Sequence, residues 1–378
     1  MSVNIIDAVW NVVGAGGGGV NVTAAAAAAA CGARGLTAVR FAATPYWPDD
    51  LRAWRDDPVV YWAAVDGAMA ALAASCNYLV PSLFFNVFAV PDLTGAPLGS
   101  LAFGARGGAS PAWAAMTAYA AQFVARYAQL PIGAWELFNE LNLLFDLDAS
   151  TMCTACAPAR GTPAARTRAD NVSTDDGVAV LAALAAVVRA ADPSARPVSS
   201  GHSLPRPCAE HLRASYYAPE RDWGNDTVPQ FFGNLADVNA AVDLASVHVY
   251  PGADNARWGE TTADAPTILL WAQAAVANAS AARVAGGRAP LALYLGEFGA
   301  LPAPGASPAA PRPFVDATLA LLRATGAASG NPPWPGVAGS TALATIWVWE
   351  FGGQNSTWAL WPGATDGVIE SIVAYNQN

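Results

Sequence analysis

The sequence predicts an α/β fold, a closed (β/α)8 barrel, and three observations carry that prediction. Short β-branched or aromatic runs alternate with longer alanine-rich amphipathic runs, and the alternation repeats eight times along 378 residues. No change of composition marks a second domain, so 1–378 reads as a single catalytic-size unit. The segments after several predicted strands are long and punctuated by Pro, Gly, Asp and Ser, which is where a barrel builds its binding face. Parallel strands need crossover connections, and eight is the number at which such a series closes, so a TIM barrel with long βα loops is expected rather than an open sheet.

Taken in order, strands are predicted to start near Ile5, Leu36, Tyr78, Ile132, Pro197, Leu244, Leu291 and Leu343. Helices follow from near Asn21, Asp57, Ser110, Thr174, Pro229, Ala263, Ser307 and Gly367. The longest connections follow strands 3, 4 and 5, including 92–110 and 146–174.

Composition narrows the function. A hydrophobic content of 54% with 13% charged residues excludes a disordered chain. Lysine is absent and all 19 basic residues are arginine, so neither a Schiff-base lysine nor a phosphate-loop lysine exists. A net charge of −10 argues against nucleic acid as partner and favours a neutral or small substrate. The apolar runs are expected to be too short to span a bilayer. Strand-like sequence begins almost at Met1, so any signal peptide is expected to have been removed or never present. Sequons at Asn21, Asn171, Asn225, Asn278 and Asn355 lean towards a secreted, extracellular location. A monomer is expected.

Five cysteines leave at least one thiol free. Cys153 and Cys156 form a CxxC, for which a loop disulfide involving Cys208 is preferred over zinc, since only three histidines exist to complete a metal site. Cys31 and Cys76 are expected to be buried thiols on neighbouring helices.

The chemistry is concentrated in two runs, Trp135-Glu136-Leu137-Phe138-Asn139-Glu140 and Leu295-Gly296-Glu297-Phe298-Gly299, each of which ends an apolar strand-like stretch with a carboxylate. The chain has only eight glutamates, and a carboxylate drawn away from water is costly unless it is paired or used. Strand alternation places Glu136, Phe138 and Glu140 on one face of strand 4 and Leu293, Leu295 and Glu297 on one face of strand 7. His248 with Tyr250 on strand 6, and Trp347 with Trp349 on strand 8, share faces in the same way. Arg40 lies near the end of strand 2. If these faces line the lumen, a cation, two carboxylates, an imidazole, a phenol and a tryptophan converge at one rim. A retaining glycosidase needs that set: one protonated carboxyl to release the leaving oxygen and one ionised carboxylate to attack. Arg40 and Tyr250 suit the nucleophile, His248 the acid, and Trp349 the floor under a sugar ring.

Asn139-Glu140 ending strand 4, His248-x-Tyr250, Gly296-Glu297-Phe298-Gly299, the strand 8 tryptophan and Arg40 on strand 2 together resemble glycoside hydrolase family 5. The resemblance implies a β-linked polysaccharide or oligosaccharide substrate, of β-mannan or β-glucan type, and no metal or cofactor. It further implies Glu140 as acid/base, Glu297 as nucleophile, Asn139 at the sugar 2-hydroxyl and Tyr250 positioning the nucleophile. Two departures stand out: Leu141 follows Glu140 where many members have proline, and strand 3 ends in Phe84-Phe85-Asn86 without the histidine often found there. His202, after strand 5, offers an imidazole for that space.

Plainer readings sit beside these. Arg40 could simply neutralise Glu136, and Trp47, after strand 2, could anchor its own loop or stack on a further sugar. An exo-acting or glycolipid glycosidase would keep the same core, and an inactive carbohydrate-binding barrel would typically have lost one carboxylate. Gly14-x-Gly16-x-x-Gly19 has the context of a dinucleotide loop, but the acidic residue expected at the end of strand 2 is missing, which disfavours an NADP-dependent oxidoreductase.

Overall fold

The computed structural model describes residues 1–14, 19–152, 160–250, 265–299, 312–324, 341–347, 360 and 365–377. Eight parallel strands close into a barrel in chain order: β1 (Ser2–Asn4), β2 (Ala38–Ala42), β3 (Tyr78–Phe84), β4 (Trp135–Phe138), β5 (Val198–Ser199), β6 (Leu244–Val249), β7 (Ala292–Phe298) and β8 (Thr341–Ile346). β1 pairs with β8 to complete the ring. Crossover helices include Val20–Ala27, Pro58–Ser75, Pro111–Tyr127, Thr174–Ala191, Val228–Val238, Ala265–Ala285, Arg312–Ala324 and Asp366–Gln377.

Local chemistry explains where the helices begin. Asp57, Ser110, Ser173 and Thr227 each cap the first turn through a side-chain oxygen, and Pro58 and Pro111 occupy the first helical turn, where a missing N–H costs nothing. The strands differ more from expectation. β1 lies before Ile5 rather than from it, because its ladder with β2 starts at Ser2↔Ala38 and the chain turns soon after Ile5. Ile132 makes only an isolated bridge to Leu79, and the β4 ladder proper runs from Trp135.

Two cores lie on opposite sides of the strands. The larger packs helices on the outward strand faces through residues such as Val39, Leu79, Leu137, Val247, Leu293 and Leu295. Inside the barrel, Val80, Ala134, Leu244, Ala292, Tyr294 and Leu343 form a small apolar floor. Above that floor the lumen turns polar, with Ser2, Asn4, Arg40, Ser82, Glu136, Ser246 and Thr345 all fully buried.

The cysteines correct the sequence reading. Cys31 and Cys76 form a disulfide rather than separate thiols: Cys31 lies in the wide turn Ala28–Ala33 after the first crossover helix, Cys76 caps the end of Pro58–Ser75, and their Cα atoms are 5.1 Å apart. Cys208, expected in a loop disulfide, is a buried free thiol. Cys153 and Cys156 lie outside the described residues, as does Gly16 of the glycine-rich loop.

Contrary to the sequence expectation, helices Pro58–Ser75 and Pro266–Ala285 are long and apolar enough to cross a membrane by length and composition. Both are crossover helices joining neighbouring strands of the closed barrel, so neither could leave for a bilayer without opening the sheet.

Candidate active site

Arg40 is the centre of the polar lumen. It is fully buried on β2, with Nε donating to Glu136 Oε1 at 2.8 Å, Nη1 to Glu297 Oε1 at 2.7 Å and to Asn4 Oδ1 at 3.0 Å, and Nη2 to Asn139 Oδ1 at 2.8 Å. Arg40 therefore pairs with Glu136 and Glu297 together, rather than with Glu136 alone. Burial disfavours the cation, but Glu136 and Glu297 outweigh that and hold the guanidinium above its usual range.

Glu297 does not reach this point by simple alternation. Leu293 and Leu295 face the helices, whereas Tyr294, between them, lies on the lumen floor with its hydroxyl 2.8 Å from Thr345 Oγ1. The β6–β7 register runs Val247↔Leu295 and then His248↔Glu297, so Gly296 is an extra residue that reverses the facing of the side chains after it. The strand 7 face predicted from parity is thus corrected: a bulge turns Glu297 into the lumen.

Glu140 arrives by a different device. β4 ends at Phe138, and two consecutive residues then point into the site, Asn139 to Arg40 and Glu140 to His248. Alternation forbids that in a strand; here Glu140 adopts φ +55, ψ +28, the left-handed region that is strained for a residue with a side chain. Its N–H donates to the Gly201 carbonyl at 2.8 Å. Gly201 itself has φ +70, and a Cβ there would lie 1.6 Å from the Phe138 carbonyl oxygen, so only glycine permits this approach. Phe138, assigned by parity to the face of Glu136 and Glu140, instead packs with the outer core beside Phe84.

His248 joins the two acids. Its Nδ1 is 2.9 Å from Glu140 Oε1 and 3.4 Å from Glu297 Oε2, and the Tyr250 hydroxyl donates to Glu297 Oε2 at 2.7 Å. One ligand atom from each of Glu140, His248 and Glu297 lies within 4.8 Å of the others, close enough together that the three could hold a metal ion. Arg40 already occupies a Glu297 oxygen, which competes with that use.

The two carboxyls titrate in opposite directions. Burial raises Glu297, with Glu140 adding to it, and the pull of His248, Arg40 and Tyr250 does not cancel the rise. Burial acts on Glu140 too, but the hydrogen bond and charge of His248, then Ser203 and Arg40, hold it below the ordinary carboxylate range. Burial, followed by the charge of Glu297, pushes the Tyr250 phenol well up, so it remains a donor.

Aromatic rings form the rim. Trp347 stacks on Phe85 with centroids 6.3 Å apart and planes at 8°, Phe85 lies 6.5 Å from Tyr46, and Tyr46 meets Trp47 edge-on at 4.8 Å. Trp47 is half-buried at the start of helix Pro48–Asp56, and Tyr46 is exposed. Trp349, expected as the sugar floor, lies outside the described residues; Trp347 is the strand 8 tryptophan seen at the site, beside Tyr250, Ile6 and Ala42. Sequence reasoning gave no role to Phe85, Tyr46, Asn4 or Ser203. Lumen parity with Ser2 could have found Asn4, but the others belong to loops without a periodic signal.

No protein-family model and no curated protein sequence matches the chain. Its fold does match solved structures. An endo-β-1,4-mannanase from Thermotoga petrophila aligns over 94% of this chain and 73% of its own, with TM-score 0.52 and 12% identity. A glycoside hydrolase family 5 mannosidase from Rhizomucor miehei, solved with mannosyl-fructose, aligns over 100% and 91% with TM-score 0.58 and 10% identity. A family 5, subfamily 18 enzyme from Streptomyces cattleya, solved with GlcNAc, aligns over 95% and 76% with TM-score 0.56 and 16% identity. At the level of fold, the chain is similar to the (β/α)8 barrels of family 5 glycoside hydrolases.

Proposed function

We propose that this chain is a retaining β-glycoside hydrolase that cuts a β-linked polysaccharide or oligosaccharide by double displacement, with β-mannan or β-glucan as leading substrates. The observation that carries this reading is the Glu140–His248–Glu297 cluster, in which one oxygen of each carboxylate and one imidazole nitrogen lie within 4.8 Å of one another while Arg40 and Tyr250 hold Glu297. A retaining pair stands about 5–5.5 Å apart, whereas an inverting pair is about 6.5–9.5 Å apart to admit a water between acid and sugar. The spacing here supports the former.

In this mechanism Glu297 attacks the anomeric carbon and Glu140 protonates the leaving oxygen; Glu140 then takes a proton from the water that releases the sugar. Charge passes from Glu297 to Glu140 as the covalent intermediate forms. The Nδ1–H of His248, within reach of both, can follow that charge. Asn139 gives its Oδ1 to Arg40, which leaves its amide N–H groups to donate to the sugar 2-hydroxyl.

The substrate-free site favours the proton on Glu297 over Glu140, the reverse of what the first step needs. Binding corrects this. The Glu140 side chain is 33% exposed and loses its water when a sugar covers it, which raises its proton affinity, while Glu297, at 6%, is already dry.

The structural neighbours support a carbohydrate substrate: a mannanase and a mannosidase are among them. A secreted location is part of the proposal, supported by the Cys31–Cys76 disulfide and by exposed sequon asparagines at 21, 225 and 278. The test is a panel of β-linked polysaccharides with product length and first-formed anomer followed by NMR. Release of β-anomer from mannan or glucan supports the proposal; first release of α-anomer would sink the retaining mechanism, and product lengths separate endo from exo action.

A further inference from the structure

Behind the site stand three buried side chains whose hydrogen-bonding atoms are left without partners: both ring nitrogens of His202, Oγ of Ser246 and Nε2 of His248. Their residues are 1%, 0% and 2% exposed. Such buried donors and acceptors are costly unless each is given a partner. Two of them face one spot. A Cβ built on Gly296 would lie 2.7 Å from Ser246 Oγ and 2.9 Å from His248 Nε2, so both polar atoms close in on the bulge residue and only a glycine there lets them approach. His202 is tied to the same place through the backbone. Ser200 Oγ accepts from the N–H of His202 at 3.2 Å and from the N–H of Ser246 at 3.3 Å, fastening the end of β5 to β6.

We propose that His202 and Ser246 are positioning residues for His248: from behind Gly296, through a bridging water or hydroxyl, they engage Nε2 and so keep the Nδ1 proton facing Glu140 and Glu297. This rests on the reading of those two glutamates as acid/base and nucleophile. Imidazole has two nitrogens, and which one carries the proton is set by what the other meets. With Nε2 engaged from behind, Nδ1 stays a donor throughout the exchange of charge between the carboxylates. His202 suits this task because burial, and secondarily the charge of His248, depress its pKa to about 3, so it stays neutral with one donor and one acceptor nitrogen. Phe145 packs edge-on against its ring with centroids 5.8 Å apart, which holds the ring in place.

The titratable groups that meet His248 are Glu140 from the β4 segment and Glu297 from β7, with Arg40 and Tyr250 held against Glu297 and with His202, from the segment after β5, coupled to His248 by charge. Since the chain has only three histidines, 15N-histidine labelling of the full protein resolves each imidazole. At pH 7 and without substrate, His248 is expected as a single Nδ1–H tautomer. Ser246→Ala, which removes only a hydroxyl, and His202→Phe should each replace the single tautomer of His248 by a mixture of Nδ1–H and Nε2–H forms. His202→Gln, which keeps a donor and an acceptor, should restore the wild-type signals. Turnover should follow the same order, with kcat falling more than about fivefold and KM changing less than twofold. Unchanged His248 signals in both Ser246→Ala and His202→Phe would overturn the proposal. Because the spectra are read without substrate, failure to hydrolyse any glycan would count against the glycosidase reading and leave the tautomer result standing on its own.

Discussion

Glu140 and Glu297 reach the same lumen from β4 and β7 by unlike routes, and the difference matches what each is proposed to do. Glu297 sits inside the sheet, delivered by a bulge, dry, and gripped by Arg40 and Tyr250. Glu140 sits just past its strand, on a left-handed residue, with a third of its side chain open to solvent. A nucleophile must be fixed, because covalent bond formation needs near-contact geometry. An acid/base must exchange protons with incoming water, which a sealed carboxyl cannot do. The lesson is that burial and backbone conformation give two chemically identical side chains different surroundings, which suit the two roles proposed for them.

The largest effect expected from breaking this pair is on turnover. Glu297→Ala should lower kcat on polysaccharide by about 10⁴-fold or more, since no covalent intermediate forms without it. Glu140→Ala should cost a similar factor on polysaccharide, but only about 10²-fold on an aryl glycoside whose leaving group needs little protonation. Steady-state kinetics on both substrates test the contrast; equal losses for both variants on both substrates would dissolve the division of roles.

A smaller effect is expected from filling the bulge. Gly296→Ala drives a methyl towards Ser246 Oγ and His248 Nε2, displacing the imidazole from between the acids. Turnover should fall about tenfold to a hundredfold with little change in melting temperature. A loss of stability comparable to a core cavity, about 3 kcal/mol, would instead show that Gly296 serves packing first.

The smallest and most discriminating effect is on stability against pH. The raised folded pKa of Glu297 gives stabilisation that is complete below its unfolded value, about 4.3, and is lost as pH rises through the folded value. Glu140 is depressed, so its contribution is present above about 4.3 and lost as pH falls through the folded value. Melting temperatures measured from pH 3 to 8 should therefore diverge in opposite senses, each by about 1–5 °C. Glu297→Gln gains on wild type as pH rises, and Glu140→Gln loses on it. Parallel curves would erase the asymmetry.

The barrel itself was legible because its signals are local. Alternating apolar runs, caps such as Ser110 and Asp57, and alanine-rich crossover stretches each state their structure within a few residues. Arg40, Asn139, His248 and Tyr250 were also legible as candidates, since polar groups at strand ends stand out against apolar neighbours. Parity was a poorer guide where strands are irregular. It placed Glu297 with Leu293 and Leu295, although the bulge at Gly296 separates them, and Glu140 with Phe138, although the strand had already ended. Cys31 and Cys76 were misread for a related reason, as the wide turn that brings them together leaves no periodic trace.

The order of elements, the number that closes the sheet and the residue types available for chemistry were fixed by sequence alone, because hydrophobic period and capping act over short range. Tertiary structure decided the rest: which carboxyl is dry, which oxygen Arg40 holds, and that one imidazole nitrogen serves both acids. Those are distances between strands far apart in the chain, set by sheet closure, one extra glycine and one left-handed glutamate, and no local pattern encodes them.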